Sequence, residues 1–210
     1  MVECFNMGTA HLFGDALASQ FRLRHRIFIR RTNYFVPTWK GMEYDQYDTP
    51  AASYLVSRDD AGEVRGIARL SPTDRPYMLA DVWPEMVRKI ELPRSTAIWE
   101  GTRFGVDKDL PSDVRRRLVA KLVMGYLQFG LLSGVEGIIG VMPTLIWRAV
   151  FSANGWPVEF LGDAKVLGGD KCVAGLLRLS EDVLDRVSAK TGLSGRIIVT
   201  ADDIGERKAA

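Results

Sequence analysis

Charged side chains interrupt stretches of the sequence that are otherwise apolar or aromatic. Arg24 and Phe28 lie four residues apart in a pattern of helical periodicity, so the arginine points the way a core residue points. Asp45 and Asp48 lie in a tyrosine-flanked segment, residues 42–48. Carboxylates at such positions can transfer protons, but a purely structural lattice of ion pairs also fits. The spacing alone leaves both interpretations open.

A second charged pair lies inside a predicted strand. Glu100 and Arg103 flank Gly101 and Thr102 in the largely apolar stretch 97–106. Burying a single ion is costly even after relaxation, so each of these charges should be paired. Because 100 and 103 differ by an odd number, a regular strand would turn the two side chains to opposite faces, unless Gly101 marks a bulge that re-aims one of them.

Hydrophobic periodicity predicts the elements that must position these residues. Their order predicts a three-layer αβα sandwich around a mixed, mostly antiparallel sheet. The expected elements are a strand at 2–6, a helix at 11–29, a long ordered loop at 32–50, hairpin strands at 52–57 and 64–70, a strand at 97–106, a helix at 112–132 with Ser112 as N-cap, a strand at 137–142, a helix at 144–153 ended by Asn154-Gly155, strands at 156–161 and 172–179, and a last helix from Ser180.

Composition limits the class of protein. The 210 residues are 47% hydrophobic and carry a net charge of +2, which predicts one globular domain, 1–210, with a flexible tail from about 198, and does not demand nucleic acid as a partner. Neither a membrane span nor a secretory signal is expected, which predicts a cytoplasmic protein. The two cysteines, Cys4 and Cys172, are interpreted as buried thiols, and no metal site is expected.

The charged segments together resemble a known family. FRLRHRIF (21–28), MEYDQYD (42–48), ARL (68–70) with DRPYM (74–78), and WEGTRF (99–104) are similar in order and spacing to the autoinducer synthases, which make acyl-homoserine lactones. The resemblance extends more weakly to about residue 180. It implies a GNAT-like fold and a reaction that joins the acyl group of a thioester to the amine of S-adenosylmethionine, a co-substrate, followed by lactone closure and release of methylthioadenosine. No permanently bound cofactor is implied.

The resemblance also implies which residues form the site. Glu100 is the candidate base, acting through a relayed water because neighbouring arginines should lower its pKa. A network of Arg24, Asp45, Asp48 and Arg103 would order the loop over S-adenosylmethionine. Backbone N–H groups near Phe104 and Gly105 are the candidate donors to the thioester oxyanion.

The remaining candidates would bind substrate. The family usually has tryptophan where this chain has Tyr34, although Trp39 lies nearby in the same loop. Apolar residues of the late strand and helix would line an acyl tunnel, although core packing explains such residues as well. The candidate substrate-binding residues are Phe28, Tyr34, Arg69, Thr102, Phe104, Val141, Met142 and Trp147, with Leu145 and Ile146 beside the tunnel.

The acyl donor is either acyl carrier protein or acyl-coenzyme A. An acidic carrier would meet a basic patch drawn from Arg26, Arg30, Arg31, Lys121 and Arg148, but coenzyme phosphates would seek the same charges. Two other functions stay open. A GNAT-type N-acetyltransferase should have a glycine-rich turn before the helix at 112. Residues 107–111 contain no glycine, which counts against that function. A non-catalytic module that binds acyl carriers or nucleosides would not need Glu100.

Overall fold

A computed structural model describes residues 1–29 and 37–209, with side chains described to residue 206. The strands are β1 (Val2–Asn6), β2 (Thr38–Trp39), β3 (Met42–Glu43), β4 (Ser53–Arg58), β5 (Val64–Pro72), β6 (Ile98–Val106), β7 (Gly137–Pro143), β8 (Glu159–Phe160), β9 (Lys165–Leu167), β10 (Asp170–Arg178) and β11 (Ile198–Val199). The α-helices are α1 (Ala16–Arg24), α2 (Met78–Val82), α3 (Ser112–Leu132), α4 (Thr144–Val150), α5 (Glu181–Thr191) and α6 (Ala201–Ala209).

Nine of these strands form one sheet. Its order is β11-β1-β4-β5-β6-β7-β10-β8, and β9 pairs with β10. The β1–β11 and β6–β7 pairs are parallel and the other pairs are antiparallel. The predicted mixed, mostly antiparallel sheet is therefore confirmed. The β2 and β3 strands form a separate two-stranded hairpin.

Helices cover both faces of the sheet, which confirms the predicted sandwich. On the helix-rich face, α3, α4 and α5 pack over a large apolar cluster that includes Leu122, Trp147 and Phe151. The opposite face, here the site face, holds two separate apolar clusters. One packs under α1 around Leu23 and the other under α2 around Leu79. The polar side chains of β5 and β6 lie in the interval between these two clusters.

The β6 strand contains a bulge. Ile67 of β5 pairs with Gly105 and Arg69 pairs with Thr102, so Ala68 opposes two residues of β6, Arg103 and Phe104. Arg103 has φ +52°, in the left-handed region that non-glycine residues rarely adopt. It is therefore the inserted residue, and its side chain joins those of Thr102 and Glu100 on the site face. The sequence allowed for a bulge at Gly101 that would re-aim one of the two charges. The bulge is instead at Arg103, and Gly101 faces Tyr126 and Ile138 on the helix-rich face.

The β6 and β7 strands pair for only part of their length. Parallel pairing joins Ile98–Glu100 to Gly137–Ile139, and both strands then continue with other partners. At the end of the paired part the two backbones approach closely, since a Cβ on Gly140 would lie 2.7 Å from the Gly101 carbonyl oxygen. Beyond that point, within the described residues, the two strands form no further pairs, which leaves a gap in the sheet.

Several predicted boundaries are wrong for identifiable reasons. The helix expected at 11–29 is not continuous. A 3-10 turn at Ala10–Phe13 ends at Gly14, whose φ is +60°, and α1 then passes directly into a π-helical turn at His25–Ile29. Ser112 is the first residue of α3 and not its N-cap, since Pro111 occupies that position. Part of the expected loop is the β2–β3 hairpin, whose turn places Lys40 and Gly41 at positive φ.

The end of the chain adds elements that the pattern did not predict. β9 precedes β10, and the segment from 198 forms β11, which pairs with β1, and then α6. Cys4 and Cys172 are buried, as predicted, and burial raises the pKa of the Cys4 thiol to about 12. Among the described residues, no helix is both long and apolar enough to cross a membrane.

Candidate active site

Six charged side chains meet on the site face, in a cluster that we call the ion cage. They come from α1, β3, the loop after β3, β5 and the β6 bulge. Arg103 is the most accessible, with 14% of its side chain exposed, and the other five side chains are at most 5% exposed. The members are Arg24, Glu43, Asp45, Asp48, Arg69 and Arg103.

Arg24 joins the first helix to the loop after β3. Its Nε donates to Glu43 Oε2 at 2.5 Å, and its two terminal nitrogens donate to the two carboxylate oxygens of Asp48 at 2.7 and 2.9 Å. Such a forked pair fixes the plane as well as the position of a carboxylate. The side chain of Phe21 adds a ring 5.2 Å from the Arg24 guanidinium carbon.

Arg69 holds the same loop from the sheet. Nη1 and Nη2 donate to the two oxygens of Asp45 at 2.6 and 3.0 Å, and Nη1 also lies 2.9 Å from Asp48 Oδ1. Nε donates to Thr102 Oγ1 at 2.9 Å. Arg69 is fully buried, so its charge is compensated by both aspartates, and the ring of Tyr47 lies 6.0 Å from its guanidinium carbon.

Arg103 reaches the cage because of the bulge. Its Nη2 donates to Asp45 Oδ2 at 2.6 Å and to Glu43 Oε1 at 2.9 Å. The guanidinium carbon lies 5.6 Å from the centre of the Phe28 ring, which comes from the π-helical turn. The backbone strain at Arg103 is therefore offset by two buried ion pairs and a cation–π contact.

Three arginines and three carboxylates balance one another in the cage. Burial alone would raise the pKa of Asp45, but the hydrogen bonds and charge of Arg69, with the charge of Arg103, lower it below its ordinary value. The pKa of Asp48 is likewise lowered to about 2, because Arg24 and Arg69 outweigh the effect of burial. These two carboxylates therefore stay ionised at neutral pH.

Glu100 lies beside the cage but outside its ion pairs. Its carboxylate accepts the backbone N–H groups of Met78 at 3.0 Å and Leu79 at 2.6 Å, at the start of α2. Burial raises its pKa to about 7, against the opposing effects of these two N–H groups and of Arg69. The expected lowering of the Glu100 pKa by arginines is thus wrong, because the arginines are committed to Glu43, Asp45 and Asp48.

Glu43 is the site residue that the sequence analysis missed. It is fully buried and bridges Arg24 and Arg103, so the cage would carry an excess positive charge without it. It stands in the same tyrosine-flanked segment as Asp45 and Asp48. A count of charges would not have found it, because Glu100 already gave the three candidate arginines a third carboxylate; only the structure shows that Glu100 lies outside the ion pairs.

The substrate-binding candidates divide between the two faces. Phe28 and Thr102 lie against the cage. On the helix-rich face, Phe104 packs edge-on against Tyr126 at 5.5 Å, and Met142 joins the same cluster as Trp147. Val141 instead joins the cluster under α2, so one wall containing Val141, Met142 and Trp147 does not form. Leu145 and Ile146 are exposed, and Tyr34 lies outside the described residues.

The basic candidates for donor binding are scattered. Arg26 pairs with buried Asp107 at 3.2 Å, and Arg65 binds the same carboxylate at 2.9 Å. Arg148 is exposed and Lys121 is half-buried on α3. Arg30 and Arg31 lie outside the described residues.

Comparison with known proteins identifies the family of this chain. Residues 11–187 match the family model described as autoinducer synthase. The chain belongs to the autoinducer synthase family. It is 32% identical over 179 residues to an acyl-homoserine-lactone synthase of Vibrio anguillarum, covering 81% of this chain and 90% of that one. The predicted family and its acyltransferase activity are thereby confirmed.

Two further relatives of this synthase carry specific names. An isovaleryl-homoserine lactone synthase of Bradyrhizobium diazoefficiens is 27% identical over 194 residues, covering 92% of this chain and 86% of that one. The structure of BjaI, a CoA-dependent acyl-homoserine lactone synthase with SAM and isopentyl-CoA, superposes with a TM-score of 0.84 at 25% identity, covering 100% of this chain and 99% of that one. This agreement confirms the predicted GNAT-like sandwich.

Proposed function

We propose that this synthase transfers an acyl group from acyl-coenzyme A to the amine of S-adenosylmethionine and then closes the lactone with release of methylthioadenosine. The observation that carries the proposal is the buried Glu100 carboxylate, which lies between the ion cage and the gap in the sheet. The donor is proposed as acyl-coenzyme A because BjaI is described as CoA-dependent and shares the whole fold. Acyl carrier protein is the alternative donor.

The first step requires a neutral amine. The amino group of S-adenosylmethionine attacks the thioester carbon, the C–S bond breaks, and the amine gives up a proton. With a pKa of about 7, Glu100 is partly ionised at neutral pH and accepts that proton readily, because a base is most effective when its pKa lies near the working pH. The higher pKa makes Glu100 a stronger base than the sequence indicated.

The thioester group of the acyl donor is proposed to bind in the gap between β6 and β7. Backbone groups of β6 beyond Glu100 border this gap, so N–H groups near Phe104 and Gly105 are the proposed donors to the oxyanion of the tetrahedral intermediate. The proposed acyl pocket lies on the helix-rich face below the gap, where Phe104, Tyr126, Trp147 and Phe151 form a packed aromatic wall. A wall this close favours a short or branched acyl group.

The second step is intramolecular. The carboxylate of the acylated methionine attacks its own γ-carbon, a C–O bond forms, and the C–S bond to the sulfonium breaks. Holding the chain curled supplies most of what this step needs. Arg103 is proposed to bind that carboxylate loosely, as the most accessible guanidinium of the cage, while Arg24, Arg69, Glu43, Asp45 and Asp48 keep Arg103 and the loop in position.

The working location is proposed from the substrates. S-adenosylmethionine and acyl thioesters are intracellular metabolites, so we propose that the synthase acts in the cytoplasm. One continuous sheet that uses strands from both ends of the chain, β1 and β11, supports the proposal that residues 1–210 act as a single domain.

The test compares the wild type with Glu100→Gln. Purified protein is incubated with S-adenosylmethionine and matched panels of acyl-coenzyme A and acyl carrier protein thioesters, and the lactone and methylthioadenosine are measured by mass spectrometry. We expect lactone from short acyl-coenzyme A donors and a loss of about 100-fold or more in the acylation rate of the Gln variant. Asp163→Asn, an exposed change, is the control.

Two outcomes would contradict the proposal in different ways. If the wild type forms no lactone from either panel, the proposed reaction is wrong. If lactone forms but Glu100→Gln acylates as fast as the wild type, the reaction stands and Glu100 is not the base.

A further inference from the structure

Tyr47 connects the ion cage to α2. Its ring lies under the Arg69 guanidinium, its backbone N–H donates to Asp45 Oδ1 at 2.9 Å, and its hydroxyl donates to Asp81 Oδ2 at 3.1 Å. Tyr47 is 5% exposed, so the hydroxyl reaches Asp81 from a buried position. Because Asp81 is in α2, one side chain spans from the cage loop to this short helix.

The same short helix holds Glu100 from the other side. The backbone N–H groups of Met78 and Leu79 each donate to one oxygen of the Glu100 carboxylate. Five residues of helix are too few to be stable alone, so the position of α2 depends on its contacts. These include the burial of Leu79, the two hydrogen bonds to Glu100, the hydrogen bond from Tyr47 to Asp81, and Arg103 Nη1, which lies 4.0 Å from Met78 Sδ.

We propose that the Tyr47–Asp81 hydrogen bond is a positioning contact for the acyl-transfer step: it seats α2 so that the Met78 and Leu79 N–H groups hold the Glu100 carboxylate. The inference rests on the proposed role of Glu100 as the base. Tyr47 and Asp81 act through α2, so they are positioning residues and do not touch the reacting atoms.

The direction of the effect follows from the hydrogen bonds. An N–H donor stabilises the ionised form of a carboxylate, so the two α2 donors lower the Glu100 pKa against the effect of burial. If α2 loosens, the donors retreat while the burial remains, and the pKa rises. Glu100 would then be protonated over a wider pH range and would accept protons less often at neutral pH.

The other groups around Glu100 do not supply the effect of the two α2 N–H groups on its pKa. Most of them are held by the cage loop, by β5 or by α3. Tyr77, the N-cap of α2, would move with the helix, but burial raises its pKa to about 12, so its phenol stays neutral at the pH of the test. The charged and titratable groups that act on Glu100 from the neighbouring elements are Arg69, Asp45, Tyr47, Tyr77 and Tyr126.

Three variants isolate the contact. Tyr47→Phe keeps the ring under Arg69 and removes the hydroxyl, and Asp81→Ala removes the acceptor. Asp81→Asn keeps an acceptor oxygen and should rescue the contact. Asp163→Ala, which removes an exposed carboxylate that pairs with Arg88 and makes no described contact with α2, the cage or Glu100, is the control.

The readout is the titration of Glu100 itself. The infrared band of its protonated carboxyl group, assigned by its loss in Glu100→Gln, is followed against pH, and the pH dependence of kcat is measured beside it. Tyr47→Phe and Asp81→Ala should move the midpoint upward by roughly half to one pH unit, and the acidic limb of the kcat profile should move with it. Asp81→Asn and Asp163→Ala should stay at the wild-type midpoint.

The result separates this inference from the proposed function. An unchanged midpoint in both Tyr47→Phe and Asp81→Ala would overturn the positioning role, even if both variants lose thermal stability. A shifted infrared midpoint in a protein that forms no lactone would support the coupling while removing the proposed reaction.

Discussion

Glu43 balances the buried charge of the site at the scale of a single residue. It is fully buried between Arg24 and Arg103, and both arginines also depend on Asp45 or Asp48. Removing one charge from a buried pair leaves an uncompensated ion, which is far more costly than losing an exposed pair. The carboxylate that the sequence analysis missed is therefore expected to matter as much for stability as those that it found.

Glu43→Gln is expected to lower the free energy of unfolding by about 3–5 kcal/mol, because two buried guanidinium groups lose their shared anion. Asp163→Asn removes the partner of Arg88 from a pair in which both side chains are mostly exposed. It should change the free energy of unfolding by less than about 1 kcal/mol. Urea denaturation of both variants at one pH measures the difference. Equal losses would show that the buried ion pairs of the cage contribute no more to stability than an exposed pair.

At the scale of the element, β6 shows both the strength and the limit of sequence reasoning. The apolar pattern located the strand, and the odd spacing of Glu100 and Arg103 correctly indicated that a regular strand could not bring both to one face. Gly101, the residue with the most backbone freedom, was the position considered for a bulge. It forms at Arg103 instead, because ion pairs to residues distant in sequence offset the strain there. A local pattern carries no information about such partners.

Arg103→Gly and Arg103→Ala test this account as a matched pair. Both remove the guanidinium, but glycine adopts a φ of +52° without the steric cost that alanine bears. We expect the glycine variant to be more stable by about 1 kcal/mol. At Thr102, whose backbone is extended, the order should reverse and alanine should be the more stable. Thermal unfolding of the four variants shows which of glycine and alanine is more stable at each position. If the same residue is the more stable one at both positions, the bulge is contradicted.

Trp147 of α4 offers a test of the acyl pocket. Its ring packs where a Cβ on Gly175 would lie 2.8 Å away, and its Nε1 donates to the Val173 carbonyl at 3.0 Å. Trp147→Phe should keep the wall and the preference for short donors. Trp147→Ala should lower stability by about 3–5 kcal/mol and shift the relative rates toward longer acyl-coenzyme A chains. Competition between short and long donors, with products counted by mass spectrometry, measures the shift. Unchanged selectivity in the alanine variant would place the acyl group elsewhere.

At the scale of the whole molecule, the architecture was more predictable than the site. Strong hydrophobic periodicity predicted α3 and the β4–β5 hairpin closely, and the order of elements predicted the layers. The grouping of Arg24, Asp45, Asp48 and Arg103 was also predicted. The short β9 and β11 strands were not, because their pairing is set by distant neighbours, and the separation of Glu100 from the cage depends on α2, which the pattern did not show.

Global stability should depend on pH in a direction that the site determines. Asp45 and Asp48 have pKa values below their ordinary 3.8, so the stability that they contribute is present above that value and is lost as the pH falls through about 2 for Asp48. Glu100 has a pKa raised from 4.5 to about 7, so its contribution is complete below 4.5 and is lost as the pH rises through 7. Maximum stability is expected at mildly acidic pH.

Denaturation of the wild type between about pH 5 and 9 should therefore show a loss of about 2–3 kcal/mol that comes from ionising Glu100. In Glu100→Gln this loss should disappear, so the two curves converge or cross as the pH rises. Parallel curves for the two proteins would show that Glu100 titrates in the folded state as it does in the unfolded chain.

The single extra residue in β6 has a consequence for how this sequence can vary. Thr102 and Phe104 already alternate between the two sides of the sheet as immediate neighbours would. An in-frame loss of codon 103 would therefore leave every other side chain of the strand on its present side, although frame-preserving deletions in strands ordinarily invert everything that follows. Such a shortened chain would keep the register of the strand, and its cost would fall on the cage, where Glu43 and Asp45 would lose the guanidinium that the inserted residue presents.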